Sequence, residues 1–416
     1  MKHIIGYKDY KAFAGPDWPS YEDMINGVKA ADPEINAEIE NFKQIMTQSY
    51  EEIVQHGEQL AEDNKQRQQQ IFFDKQYKKQ HCTVPWETLG IHSNGDVFVC
   101  SSPSWIPKFV GNIFDHDDIF EILNSDLAQS IRYEILEGRY LYCNNKICSF
   151  FSKIDKSEYR YESEQEEEPL LLPESNQLLV NEIPKNLIFD FDYTCNFKCP
   201  SCRTEVINTN KHHVIRPIND KIADYIKYNI IDRIEDQPIN IRWCGGEPFI
   251  SQPYLDIMEH IANKNKPNIK NIIQTNGSFL KKKSDLITKL LPNISEMRIS
   301  FDAATPETYA KTRVNGNWET LIENVIWIKD LIDKTSAETK ISADYVVQLA
   351  NYEEIPDFVK LCNELGIKHI EWQKMWNWGT WNQDEFDKQN VYTDKHPKFG
   401  KVVYLLKQEN QMFSKI

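Results

Sequence analysis

The sequence predicts an α/β fold: a partial (βα)6 barrel, preceded by an N-terminal helical segment and a small α+β module rich in cysteine. Two observations carry that prediction. Six short, β-rich apolar segments (187–192, 239–243, 271–275, 296–301, 341–348 and 368–372) alternate with helical patterns near 218–234, 252–263, 280–291, 317–333 and 352–365. Strands joined in turn by helix-bearing crossovers pair in parallel. Seven of the nine cysteines also fall into two spaced sets, one ahead of the barrel and one directly after its first strand.

Taken in order, residues 1–80 read as a helical region. Asp32-Pro33 is a helix start, an N-cap followed by proline in the first turn. Ile35, Ile39, Phe42, Ile45, Met46, Tyr50, Ile53 and Val54 then recur at three- and four-residue steps, one apolar face. Residues 81–155 form the cysteine-rich module. There Thr88–Cys100 reads as strand, turn, strand, with Ser93-Asn94-Gly95-Asp96 as the hairpin turn and a short helix near 119–138. Residues 156–180 are an acidic, proline-containing linker that includes the run 162–168. The barrel with an aromatic C-terminal extension fills 181–416. That extension, Trp372 to Trp381, leaves the last strand where parallel sheets place their sites, so it could wall a substrate pocket or simply pack on the barrel mouth.

At 416 residues with 40% hydrophobic and 27% charged residues, the chain has the composition of a soluble globular protein. No apolar run is long enough to span a membrane, and the start lacks a secretory signal, so the expected location is the cytoplasm. A net charge of −15 argues against a nucleic-acid partner, whose phosphates call for Lys and Arg. In that compartment cysteines serve more readily as metal ligands than as disulfides.

The barrel's first strand runs straight into Cys195-Asn-Phe-Lys-Cys199-Pro-Ser-Cys202. A cubane iron–sulfur cluster normally takes four cysteines. Three leave one iron open to an external ligand. Zinc is the alternative for such a triplet, but structural zinc takes four ligands in paired short spacings. His212 and His213 are the nearest further donors in sequence. Downstream, the second strand ends in Cys244-Gly245-Gly246-Glu247-Pro248, the third in Gln274-Thr275-Asn276-Gly277 and the fourth in Ser300-Phe301-Asp302. The glycines permit a close backbone approach. Cys244 and Cys362 read as small buried hydrophobes.

These motifs in this order resemble the radical S-adenosylmethionine (radical SAM) superfamily, defined by C-x3-C-x2-C after the first barrel strand. The resemblance implies a 4Fe-4S cluster on Cys195, Cys199 and Cys202, with S-adenosylmethionine on the open iron. One electron from an external reductant then yields a 5′-deoxyadenosyl radical that takes hydrogen from a substrate. It also implies cofactor contacts from Gly245, Gly246, Glu247, Pro248, Asn276, Ser300 and Asp302, with Arg313 gripping a carboxylate. Ser201 departs from the family, which often has an aromatic residue before the third cysteine.

The earlier set, Cys82-x12-Gly95-x4-Cys100 with Cys143 and Cys148, resembles the SPASM/twitch auxiliary domains of many radical SAM enzymes. The resemblance implies a second, fully ligated 4Fe-4S cluster; four cysteines match the one-cluster twitch form. The C-x4-C spacing of the last pair and the position ahead of the barrel both depart from the usual pattern. Structural zinc is the alternative here too. By the same resemblance the substrate is a peptide or protein. The runner-up is a sugar, nucleotide or other small metabolite, and a non-catalytic iron–sulfur or zinc protein is a third reading.

Overall fold

The computed structural model describes residues 82–136, 138, 140–144, 148, 150, 178–209 and 213–409. The expected helical region 1–80 and most of the expected linker lie outside these residues. Two compact units hold the described chain: residues up to 191 with 211–239, and residues 192–210 with 240–415. No helix among the described residues is long and apolar enough to cross a membrane.

In the first unit α1 (Val84–Glu87) leads into β1 (Thr88–His92), β2 (Asp96–Phe98) and β3 (Gly111–Asn112). Then come α2 (Ile119–Leu123), α3 (Asp126–Leu136), β4 (Asn186–Asp190) and α4 (Arg216–Tyr225). The expected hairpin is present, with β1 antiparallel to β2. Its turn works because Asn94 and Gly95 both take positive φ, 62° and 82°, as a two-residue turn between twisted strands requires. The helix expected near 119–138 is two helices; the Asp118 side chain caps the first by accepting from the Phe120 amide at 3.0 Å.

One pairing was not legible in the sequence. β1 runs parallel to β4, Thr88 opposite Asn186 through His92 opposite Asp190. The cysteine module's hairpin and the first strand of the expected barrel therefore share a sheet. Fully buried Arg132 of α3 ties this unit together. It donates to the carbonyls of Pro85, Leu123 and Leu178 at 2.8–3.0 Å.

The second unit begins with β5 (Ile239–Trp243), α5 (Gln252–Lys264), β6 (Ile269–Thr275), α6 (Ser284–Leu290) and β7 (Ile294–Ser300). It continues through α7 (Pro306–Thr312), α8 (Trp318–Thr335), β8 (Lys340–Val347), α9 (Ile355–Glu364), β9 (His369–Lys374), α10 (Gln383–Gln389) and α11 (Phe399–Gln408). The strands lie in the order β5-β6-β7-β8-β9, and β6 to β9 are parallel throughout. Every expected strand and crossover helix of this unit is found, with ends shifted by a few residues. α7 was missed although its signals were present: Thr305 caps it, accepting from the Thr308 amide at 3.3 Å, and Pro306 opens it.

Burial sorts the two faces of the parallel sheet. Tyr345 of β8 and Trp372 of β9 pack on Phe358 of α9, with ring centroids 4.5–5.9 Å apart. Trp372 is thus core, whereas Trp376 and Trp378 of the same aromatic stretch are exposed. Cys362 is buried, as expected, whereas Cys244, read the same way, is only half-buried. Asp344, between Ala343 and Tyr345, lies on the face away from α9, level with Ser300 on β7 and Glu371 on β9.

Gly95→Ala tests the hairpin. A Cβ there would meet Ile113 Cγ1 at 2.7 Å in a backbone that L residues avoid. It should destabilise the first unit by about 1–3 kcal/mol, read from a shifted denaturation midpoint.

Candidate functional site

The loop carrying Cys195, Cys199 and Cys202 is shaped by Asp192, which is fully buried. Its Oδ1 accepts from the Thr194 amide at 2.9 Å and the Thr194 hydroxyl at 2.6 Å, an Asx turn that curls the chain toward Cys195. Its Oδ2 accepts from the Ser251 hydroxyl at 2.7 Å, at the start of α5. The Asp192 amide donates to the Tyr254 hydroxyl at 3.1 Å. The far end of the loop is pinned by the Cys195 amide, which donates to the Ile207 carbonyl at 2.8 Å.

Of Gly245, Gly246, Glu247 and Pro248, it is Gly246 and Glu247 that pack against this turn. The Gly246 amide donates to the Asp192 carbonyl (3.0 Å) and the Glu247 amide to the Thr194 carbonyl (2.7 Å). A Cβ on Gly246 would sit 2.0 Å from the Thr194 carbonyl oxygen. The close approach that Gly246 permits is therefore to the chain's own loop. Gly245 has φ 93°, a turn conformation suited to glycine.

Glu247 is buried and bridges two strand ends. Its Oε1 accepts from the Thr275 hydroxyl at 2.7 Å, and its Oε2 from the Asn276 amide at 2.6 Å. Burial raises its carboxyl to about 7, opposed by those hydrogen bonds and by Arg313. The Asn276 side chain donates to Asn196 Oδ1 at 3.0 Å and faces Cys195 Sγ at 4.0 Å. Ser300 is buried at the carboxyl end of β7.

Asp302, at φ 56° and fully buried, accepts from the Val346 amide at 2.7 Å. It also pairs with Arg313, Oδ2 to Nη2 at 2.8 Å. Arg313 Nη1 meanwhile reaches Cys199 Sγ at 3.7 Å. In this structure the carboxylate that Arg313 grips is Asp302. Burial raises the Asp302 carboxyl, against the pull of Arg313.

The three cysteines differ in exposure. Cys195 and Cys199 are buried and Cys202 is exposed. Burial pushes the Cys195 thiol up to about 11, with Arg203 pulling the other way; burial also raises Cys199, with Arg313 opposing. Such thiols become thiolates when a metal supplies the missing positive charge. The donor set of this loop therefore fits a metal cluster.

In the first unit Cys82, Cys100, Cys143 and Cys148 line a single pocket with Pro85, Trp105, Ile106, Ile135, Tyr140 and Phe150. Burial raises Cys82 to about 11 and Cys100 to about 12, and places Cys143 well above its usual value. Each of these three also feels repulsion from others of the set. Four soft donors in an apolar pocket again fit a metal group. No group of three or more His, Cys, Asp or Glu among the described residues is set to hold a single metal ion.

Residues 191–362 match the Radical SAM superfamily, and residues 82–149 match an iron–sulfur cluster-binding domain. Residues 191–362 are thus a radical SAM domain. The iron–sulfur cluster-binding domain precedes it in the sequence. The chain's cofactors are accordingly a 4Fe-4S cluster, S-adenosylmethionine and a further iron–sulfur cluster. Among its relatives is a probable GTP 3′,8-cyclase of Methanococcus aeolicus, 26% identical over 192 residues, covering 45% of this chain and 59% of that one. Another, from Saccharolobus islandicus, is 25% identical over 187 residues, covering 45% and 55%. The chain thus spans a little over half the length of these curated relatives. Solved structures of similar chains include Streptococcus suis SuiB bound to precursor peptide SuiA (16% identity, TM-score 0.36, 71% of this chain and 63% of that one). Native anSMEcpe with bound AdoMet is another (18% identity, TM-score 0.33, 46% of this chain and 51% of that one).

Four residues of the second unit were missed in the sequence. Asp192 had a signal, the Asp-x-Thr of an Asx turn just before a cysteine. Arg203 had one as well, a cation directly after the third cysteine. Tyr309 had none; its buried hydroxyl has no hydrogen-bond partner. Asp344 is the one acid in the strand Lys340–Val347, and both of its buried carboxylate oxygens lack a hydrogen-bond partner.

Gly246→Ala should unseat the loop through the Thr194 clash and cost about 3 kcal/mol, read as a lowered melting temperature with less iron retained after reconstitution. Asp344 gives a pH signature. Burial raises its carboxyl to about 7, so the native state binds the proton more tightly than the unfolded chain. Its contribution is favourable below pH 4 and is lost as pH rises through about 7. Asp344→Asn should therefore melt higher than the wild type at pH 8. The difference should shrink as pH falls from 7 toward 4; a pH-independent difference would count against this assignment.

Proposed function

We propose that this chain reductively cleaves S-adenosylmethionine and uses the resulting radical to abstract hydrogen from a peptide or protein substrate. The observation that carries the first half is the three-cysteine loop, seated on the Gly246–Glu247 backbone and faced by Arg313. In this reading Cys195, Cys199 and Cys202 hold the catalytic cluster. When bound, cluster and cofactor supply one-electron cleavage of the sulfonium, the electron coming from an external reductant.

The protein's share is positioning. Gly245, Gly246, Glu247 and Pro248 form one wall of the cofactor seat, and Asn276, Ser300, Asp302 and Arg313 supply polar groups at the ends of the next strands. Unpartnered buried atoms support a polar occupant: the Arg313 Nε, the Tyr309 hydroxyl and both Asp344 carboxylate oxygens. Cys82, Cys100, Cys143 and Cys148 hold one auxiliary cluster of the twitch type. The iron–sulfur cluster-binding match and the apolar, four-thiol pocket support iron over zinc.

The peptide reading rests on the likeness to enzymes with SPASM and twitch modules. The GTP 3′,8-cyclase relatives favour a second reading, radical chemistry on a nucleotide or other small metabolite. Anaerobic reconstitution with iron and sulfide, then reduction with S-adenosylmethionine, should yield 5′-deoxyadenosine, abolished by Cys199→Ala. Replacing Cys82 and Cys100 together should halve the iron; loss of zinc with iron unchanged would remove the auxiliary cluster. Candidate peptides should change mass under these conditions, whereas turnover of GTP alone would select the second reading.

A further inference from the structure

Each sulfur of the three-cysteine loop faces one side-chain N–H. Asn276 Nδ2 lies 4.0 Å from Cys195 Sγ, Arg313 Nη1 lies 3.7 Å from Cys199 Sγ, and Arg203 Nη2 lies 3.5 Å from Cys202 Sγ. The three donors are not electrically equal. Asn276 is neutral. The charge on Arg313 is offset by Asp302 at 2.8 Å, a partner with no exposed surface.

Arg203 has no such offset. Its Nη1 donates to the Tyr193 carbonyl at 2.7 Å, and its Nη2 also reaches the Gly245 carbonyl at 3.5 Å. Both anchors are neutral backbone groups, and no carboxylate among the described residues pairs with it. Those anchors belong to the turn below Cys195 and to the glycine pair, so the guanidinium is held in place from two sides.

We propose that Arg203 is a positioning residue that sets the reduction potential of the cluster on Cys195, Cys199 and Cys202. Reduction adds one electron from the external reductant to that cluster and breaks no bond. The added negative charge is stabilised by a fixed, unneutralised cation beside a ligand sulfur, and charge and hydrogen bonds at the sulfurs are what tune such potentials. Arg313, neutralised by Asp302, contributes less. Arg203 thus eases entry of the electron that the reaction needs.

The inference rests on the triplet holding a cluster, and the test separates the two. Full-length, iron-loaded protein is titrated with dithionite, and the paramagnetic signal that changes on adding S-adenosylmethionine is followed by EPR. Absence of any such signal in the wild type would remove the cluster reading and this inference with it. With the signal present, Arg203→Gln and Arg203→Met should each lower the midpoint by a factor of ten or more in the reduction equilibrium, about 59 mV for one electron. Arg203→Lys should keep most of the wild-type value, and Arg313→Gln should shift it less than Arg203→Gln does. An unchanged midpoint in the two neutral variants would overturn the proposal, as would a Lys variant as low as Gln.

Discussion

A buried carboxylate shapes the three-cysteine loop of this protein. Asp192 shapes the turn before Cys195 with one oxygen and anchors it to the start of α5 with the other. Its main chain is held by Tyr254 and by Gly246. The glycine pair and the strand ends that Glu247 joins are placed relative to that turn. Gly246 can lie against Thr194 only because it has no side chain. With Gly246 in place, Glu247 reaches across to Thr275 and Asn276, and Asn276 reaches back to Cys195. A carboxylate satisfied by hydroxyl and amide donors is costly to disturb, because removing one partner leaves a buried group unpaired.

The two cysteine sets solve the same electrostatic problem differently. In both, burial disfavours the thiolate that a metal requires. For Cys195 and Cys199 the opposing influences include the cations Arg203 and Arg313. For Cys82 and Cys100 they are backbone hydrogen bonds alone, from Val84 and from Ser101 and Ser102. An apolar pocket closed by four sulfurs suits a group that exchanges no ligand. A loop with three sulfurs, one of them exposed, and two arginines suits a group that must accept both an electron and an external ligand.

Most of the second unit was legible because parallel strands buried on a helix layer write themselves as apolar runs, and α/β alternation fixes their order. The cysteine spacing named the loop, since ligand spacing is a local property of the chain. What was not legible is non-local. No pattern in Thr88–His92 announces that it pairs with Asn186–Asp190, because a strand's partner is chosen by tertiary fit. Trp372 and Trp378 look alike in sequence, yet one is core and the other exposed. Asp302 and Arg313 were each readable as polar strand-end residues; that they meet each other depends on Asp302 taking a left-handed backbone and α7 turning Arg313 back toward it.

Three buried carboxyls in the second unit, Glu247, Asp302 and Asp344, are all raised by burial. Arg313 acts on each of them and lowers each. Arg298 also lowers Asp344, and more strongly than Arg313 does, yet burial still outweighs these cations at all three acids. Any cation entering this region would lower their pKa values further, and by linkage it would bind more tightly as those groups lose protons. A zwitterionic ligand with a positive centre is of the right charge type for such a site: its carboxylate can compete with Asp302 for Arg313 while its cationic end meets the freed acids.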